Sequence, residues 1–88
     1  MKARQRGRTA ALKALYELDT TSHSLDTVLI NRLAEERLSP ESEAFARELV
    51  MGVWQSRVEL DQMIQRHAPE WPVDQMAVVD RNVLRIAI

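Results

Sequence analysis

The sequence predicts an all-α domain, an antiparallel bundle of about five helices. Three observations carry that expectation. Apolar residues recur at helical spacing through most of the chain, and strand-like alternation is missing. Only two glycines and three prolines punctuate 88 residues. The polar runs between apolar segments are rich in Ser, Thr and Asp, the side chains that cap helices.

The first helix begins near the N-terminus. On a wheel of about 100° per residue, Ala11, Leu12, Leu15 and Leu18 share one sector, so Leu12 and Leu15 are expected in the core. Arg4 and Arg8 share that azimuth further upstream and stay hydrated only if the helix start projects or frays. Lys2, Arg6 and Lys13 lie on another side, and Tyr16 falls between the two, as suits a partly exposed ring. Gly7 is expected to loosen the helix start by about 1 kcal/mol relative to Ala. Asp19 to Ser24 reads as a loop, with Ser24 an N-cap for a second helix over Leu25 to Arg37.

Ser39-Pro40-Glu41-Ser42-Glu43 is a strong helix start: Ser39 fits N-cap, Pro40 the first position, and the glutamates suit the positive helix end. From Phe45 to Ile64 one apolar stripe keeps its phase, predicting one long helix or two nearly collinear ones. Gly52 lies within that stripe, where close approach of another helix would explain it. Val50, Met51 and Trp54 fall outside it, so this side packs on a second neighbour or forms a partner surface. Two prolines, Pro69 and Pro72, end the helix. Asp74 or a nearby residue caps a last helix whose stripe is Met76, Val79, Val83, Ile86 and Ala87. The pattern stops at Ile88 with no C-cap glycine and no polar tail, which points to a piece of a longer chain.

Composition bounds the function. At 88 residues, 45% apolar and 28% charged, this is one small globular domain. With no cysteine there is no disulfide, thiolate zinc site or catalytic thiol. No apolar run approaches the roughly 18 residues of a membrane span, and the basic head leads into no signal-peptide core. The expected location is the cytoplasm. Of the 12 Lys and Arg, five precede Glu17, leaving seven against all 13 acidic residues in the rest. The net charge of −1 therefore conceals a basic arm, residues 1–8, on an acidic body. That asymmetry suggests a polyanionic partner, nucleic acid first, although a solubilising tail would have the same composition. Arginine suits phosphate forks and base stacking, and Tyr16 could stack on an unpaired base.

Catalytic chemistry is not expected. His23 and His67 read as surface histidines, and Glu35-Glu36 and Glu41/Glu43 as solvated charge at helix ends. No phosphate-cradling glycine loop or nucleophile elbow is present.

Three stretches resemble the NusB family of transcription antitermination factors. Arg4-Gln5-Arg6-Gly7-Arg8-Thr9-Ala10-Ala11-Leu12-Lys13-Ala14-Leu15-Tyr16 resembles its arginine-rich opening into an A-L-x-A-L-Y helix. Phe45-Ala46-Arg47-Glu48-Leu49-Val50-Met51-Gly52-Val53 is similar to its F-x-R-E-L-x-x-G-V helix. Val79-Asp80-Arg81-Asn82-Val83-Leu84-Arg85-Ile86-Ala87 is similar to its V-E-R-x-[IV]-L-R-[IL]-A helix. The resemblance implies two packed helical subbundles without catalysis or cofactor. The second would be incomplete here, since the family continues for two more helices, and the exposed last stripe would then favour self-association. It implies binding of single-stranded boxA-like RNA together with the ribosomal protein NusE, within an antitermination complex with RNA polymerase. By position, Lys2, Arg4, Arg6, Arg8 and Tyr16 would meet RNA. Asp80, standing where the family usually has glutamate, would meet NusE. Gln5 interrupts the usual arginine run. Two other readings stay open: an RNA-binding N-terminal domain of a ribosomal RNA cytosine methyltransferase, and a protein-only helical module that binds through the side bearing Val50, Met51 and Trp54.

Overall fold

The computed structural model describes residues 3–70, 72 and 76–87, which form five helices and no strand. They are α1 (Ala3–Thr20), α2 (Leu25–Glu35), α3 (Pro40–Gln55), α4 (Arg57–His67) and α5 (Val78–Ala87). The all-α expectation is met. α1 is the hub, and α2, α3 and α5 all pack on it. Its inward residues are small for much of its length: Gly7, Ala10, Ala11 and Ala14 are all buried. Small side chains let neighbouring helix axes come close, so three helices can share one. Leu15 and Leu18 then join Val28, Leu29 and Leu33 of α2 and Ala46, Val50 and Val53 of α3 in one core. Each large aliphatic side chain buried there contributes about 1.5–3 kcal/mol. Leu12, expected in the core, is only partly buried and lines a surface groove instead.

The predicted caps are in place. Ser24 Oγ accepts the Thr27 N–H at 3.2 Å, and Ser39 Oγ accepts the Ser42 N–H at 3.2 Å with Pro40 opening α3. Each such cap is worth about 1 kcal/mol over Ala. α2 stops at Glu35, and beyond its cap Arg37 takes a left-handed φ of 51°, a position that favours glycine. The long stripe after Pro40 proves to be two helices. Only Ser56 leaves helical geometry, at φ −103° and ψ 12°. Its N–H still bonds the Gly52 carbonyl at 3.1 Å, and its carbonyl accepts the Leu60 N–H at 2.9 Å. The stripe could keep its phase because the ladder hardly breaks.

The Gly52 reading is overturned, and its role falls to Gly7. Gly52 is exposed, and a Cβ there would meet nothing within 4 Å, so no helix presses on it. Gly7 is the point of close approach: a Cβ there would stand 2.8 Å from Phe45 Cδ2 and 3.3 Å from the Ser42 carbonyl oxygen. Besides its propensity cost, it lets α3 seat against α1.

α5 also differs from expectation. Val79 and Val83 of the predicted stripe are exposed, as is Leu84, and only Ile86 packs on the core. The residues turned inward are Asn82 and Arg85, at 0% and 4% exposure. The partners decide this. Arg85 donates to both Asp61 oxygens of α4 at 2.6 Å each, and to Asp19 of α1 at 2.9 Å. Asn82 donates to the same Asp19 oxygen at 2.8 Å, and Arg81 approaches it at 3.3 Å. A buried guanidinium and a buried amide demand such partners. Burial alone would push the Arg85 guanidinium down, but the Asp61 hydrogen bonds and the Asp19 charge outweigh it and hold the group above its usual range. The expected Asp74 cap lies outside the described residues.

Candidate nucleic-acid interface

The basic arm is the first turns of α1. Helix 1 starts at Ala3, so Arg4, Arg6 and Arg8 project from regular helix, and all three are exposed. Lys2 lies outside the described residues. The wheel placed Arg4 and Arg8 on the side that faces the body, and they stay hydrated there without fraying. Their guanidinium carbons sit 5.1 and 5.7 Å from the centroid of the Phe45 ring on α3. The guanidinium groups themselves lie over this partly buried ring, and both arginines remain exposed. The two contacts are cation–π interactions.

Five lysine and arginine side chains further along the chain are ion-paired, while Arg37, Arg57 and Arg66 pair with no described residue. Lys13 pairs with Glu36 at 3.1 Å, Arg32 with Glu17 at 2.8 Å, and Arg47 with Glu43 at 3.1 Å. Arg81 and Arg85 are held by Asp19 and Asp61. Arg4, Arg6 and Arg8 form no ion pair with any described residue. Three guanidinium charges within five residues are thus uncompensated. Glu17 is held below the usual carboxylate range by the His23 ring N–H at 2.7 Å and by Arg32.

Tyr16 lies about 12 Å further along α1 than Arg8, at 1.5 Å per residue. Its ring is 46% exposed, at a shallow groove of about 340 Å³ lined by Leu12, Lys13, Tyr16, Arg32 and Val79. The groove combines an aromatic face, an apolar floor and two cationic side chains, which suits a splayed nucleobase. Asp80, the position assigned to a protein partner, follows Val79 and is exposed in the first turn of α5. Trp54 is elsewhere: it packs partly buried on the core, and the Arg57 guanidinium covers its ring at 4.0 Å.

Sequence reasoning assigned Phe45 only to the core stripe. The signal for its second role was present in the wheel: two arginines facing the body need something there that tolerates a guanidinium. No group of three His, Cys, Asp or Glu among the described residues could hold a metal. No helix among them is long and apolar enough to cross a membrane.

Comparison with known proteins gives the family. The family model described as "NusB family" matches residues 5–88. A relative from Roseiflexus sp. (strain RS-1), named transcription antitermination protein NusB, is 53% identical over 85 residues, covering 97% of this chain and 60% of the relative. Those of Chloroflexus aggregans and Myxococcus xanthus bear the same name at 52% and 44% identity, with 57% and 66% of their lengths covered. The chain thus spans about 60% of the length of such relatives. No solved structure matches the chain.

Proposed function

The chain belongs to the NusB family, and from that premise we propose that it is an RNA-binding transcription antitermination factor. It acts by binding rather than catalysis, in the cytoplasm, on single-stranded boxA-like RNA and together with the ribosomal protein NusE in a complex with RNA polymerase. The observation that carries the reading is the uncompensated charge of Arg4, Arg6 and Arg8 on a helix anchored in the core. Phosphates satisfy that charge and release counterions as they do so. Lys2 extends the basic run, and Tyr16 offers a base a stacking face at the far end of the same helix. Asp80, exposed in the first turn of α5, is the NusE-facing residue, and Trp54 a second point of protein contact. The exposed Val79, Val83 and Leu84 favour self-association at high concentration.

Fluorescence anisotropy with a labelled boxA-like RNA tests the reading. The boxA-like strand should bind more tightly than a scrambled strand, and log affinity should fall with log salt at a slope of about −2, near −0.7 per phosphate neutralised by three arginines. Replacing Arg4, Arg6 and Arg8 together by Ala should flatten that slope. Equal weak binding of both strands would remove sequence recognition. Binding indifferent to the arginines would remove the arm.

A further inference from the structure

We propose that Phe45 is a positioning residue of the RNA grip: its ring holds Arg4 and Arg8 as a pre-arranged pair without cancelling their charge. The proposal rests on the RNA-binding reading above and deepens it.

The arrangement begins with helix geometry. Residues four apart lie on one face, so Arg4 and Arg8 stand one above the other with Gly7 between them in sequence. Gly7 is buried, and its bare backbone lets α3 come so close that Phe45 Cδ2 lies only 2.8 Å from where a Cβ would stand. The ring is thereby fixed against the start of α1, and both guanidinium groups lie within 6 Å of its centroid. An exposed arginine ordinarily loses rotamer freedom when it grips a phosphate, and that loss weakens binding. Here the ring takes up part of the loss before RNA arrives.

The chemistry of the holder matters. A carboxylate would order an arginine equally well but would neutralise it, as Glu36 does for Lys13 and Glu17 for Arg32. An aromatic face attracts a cation through its quadrupole and leaves the net charge intact. Carboxylates are close by: Glu41 and Glu48 line the hollow that Arg4 and Phe45 also line. Neither forms an ion pair with a described residue. Their negative charge disfavours phosphate on the α3 side, so the strand is held on the outer side of the arginine pair.

The test replaces Phe45 by Leu, which keeps an apolar filling and removes the aromatic face, and by Tyr, which keeps the face. Phe45→Met, a flexible apolar filler, repeats the experiment where the Leu variant unfolds by circular dichroism. Affinity for the boxA-like RNA should fall about tenfold in Phe45→Leu, the scale of ordering two long side chains, with the salt slope unchanged because the same charges remain. Phe45→Tyr should stay within about twofold of the parent. The Nε–H resonances of Arg4 and Arg8 should be shifted by the ring in the parent and the Tyr variant and move to solvent-exposed values in Leu. Parent-like affinity in Phe45→Leu, or failure of Tyr to restore it, overturns the proposal. If the parent binds no RNA, the functional reading fails, and the arginine resonances still decide the clamp: unshifted signals in the parent overturn it.

Discussion

Replacing Gly7 by Ala sets two physical arguments against each other with opposite signs. Helix propensity alone makes the Ala variant more stable by about 0.8–1.0 kcal/mol. Packing opposes it. The added methyl would stand 2.8 Å from Phe45 Cδ2, well inside the ~3.5 Å of an ordinary carbon contact. It would also stand 3.3 Å from the Ser42 carbonyl oxygen, in the first turn of α3, where the Ser42 N–H is already fixed to Ser39 Oγ. The ring can tilt, but that backbone oxygen moves only with the helix. Overfilling a packed contact costs about 1–3 kcal/mol, so the expected net effect is a loss of about 1 kcal/mol. For a domain of this size that lowers the melting temperature by about 4–8 °C, readable by far-UV circular dichroism and checked by the urea midpoint. The loss should shrink in a Phe45→Leu background, because the two positions share the contact, with a coupling of at least about 0.5 kcal/mol. A Gly7→Ala protein that melts about 4 °C or more above the parent would refute the close approach and leave only the propensity argument.

Three further outcomes follow from the same geometry. Arg85→Met should cost about 2–3 kcal/mol in urea unfolding: breaking a buried ion pair costs more, but Asp61 is partly exposed and Asp19 keeps Asn82 and Arg81. A change under about 0.5 kcal/mol would mean that the inward face of α5 is not held by this network. Arg37→Gly should raise stability by about 1 kcal/mol, since glycine takes the left-handed φ of 51° without the steric penalty; an unchanged urea midpoint would count against that backbone geometry. Glu17 has a folded pKa lowered from 4.5 by His23 and then Arg32, so its contribution is present above that value and is lost as pH falls through the lowered one. The stability difference between the parent and Glu17→Gln should therefore narrow on acidification below about pH 4.5, and a difference that stays constant with pH would exclude the linkage.

The helices were legible because they are local. Ser24, Ser39 and Pro40 act on backbone groups within four residues, so their roles can be read from the chain alone, and the structure places them as expected. The stripe of α2 was equally plain: Val28, Leu29 and Leu33 recur at helical spacing and are buried. The motifs in α1, α3 and α5 fixed the family for the same reason, since order and spacing are properties of sequence. The arginines of the arm were visible as a run of charge, and their shared azimuth with the core followed from the period of the helix.

What the wheel could not supply was the neighbour. It put Val79 and Val83 in the buried stripe of α5, because it has no knowledge that Asp19 and Asp61, 66 and 24 residues from Arg85, wait on the other side. Two partly buried acids override the hydrophobic pattern: Asn82 and Arg85 turn in to meet them, and Val79 and Val83 remain outside. The two glycines make the same point. Gly7 and Gly52 both lie on helices, and nothing local says which one meets another chain segment; only the seating of α3 on α1 separates them. Sequence by itself determined the helices, their caps, the family and the presence of a basic arm. Tertiary packing decided which faces are buried, and that the arm's two inward arginines rest on an aromatic ring that leaves their charge uncancelled, because such pairings join residues remote in the chain and depend on distances of a few ångströms.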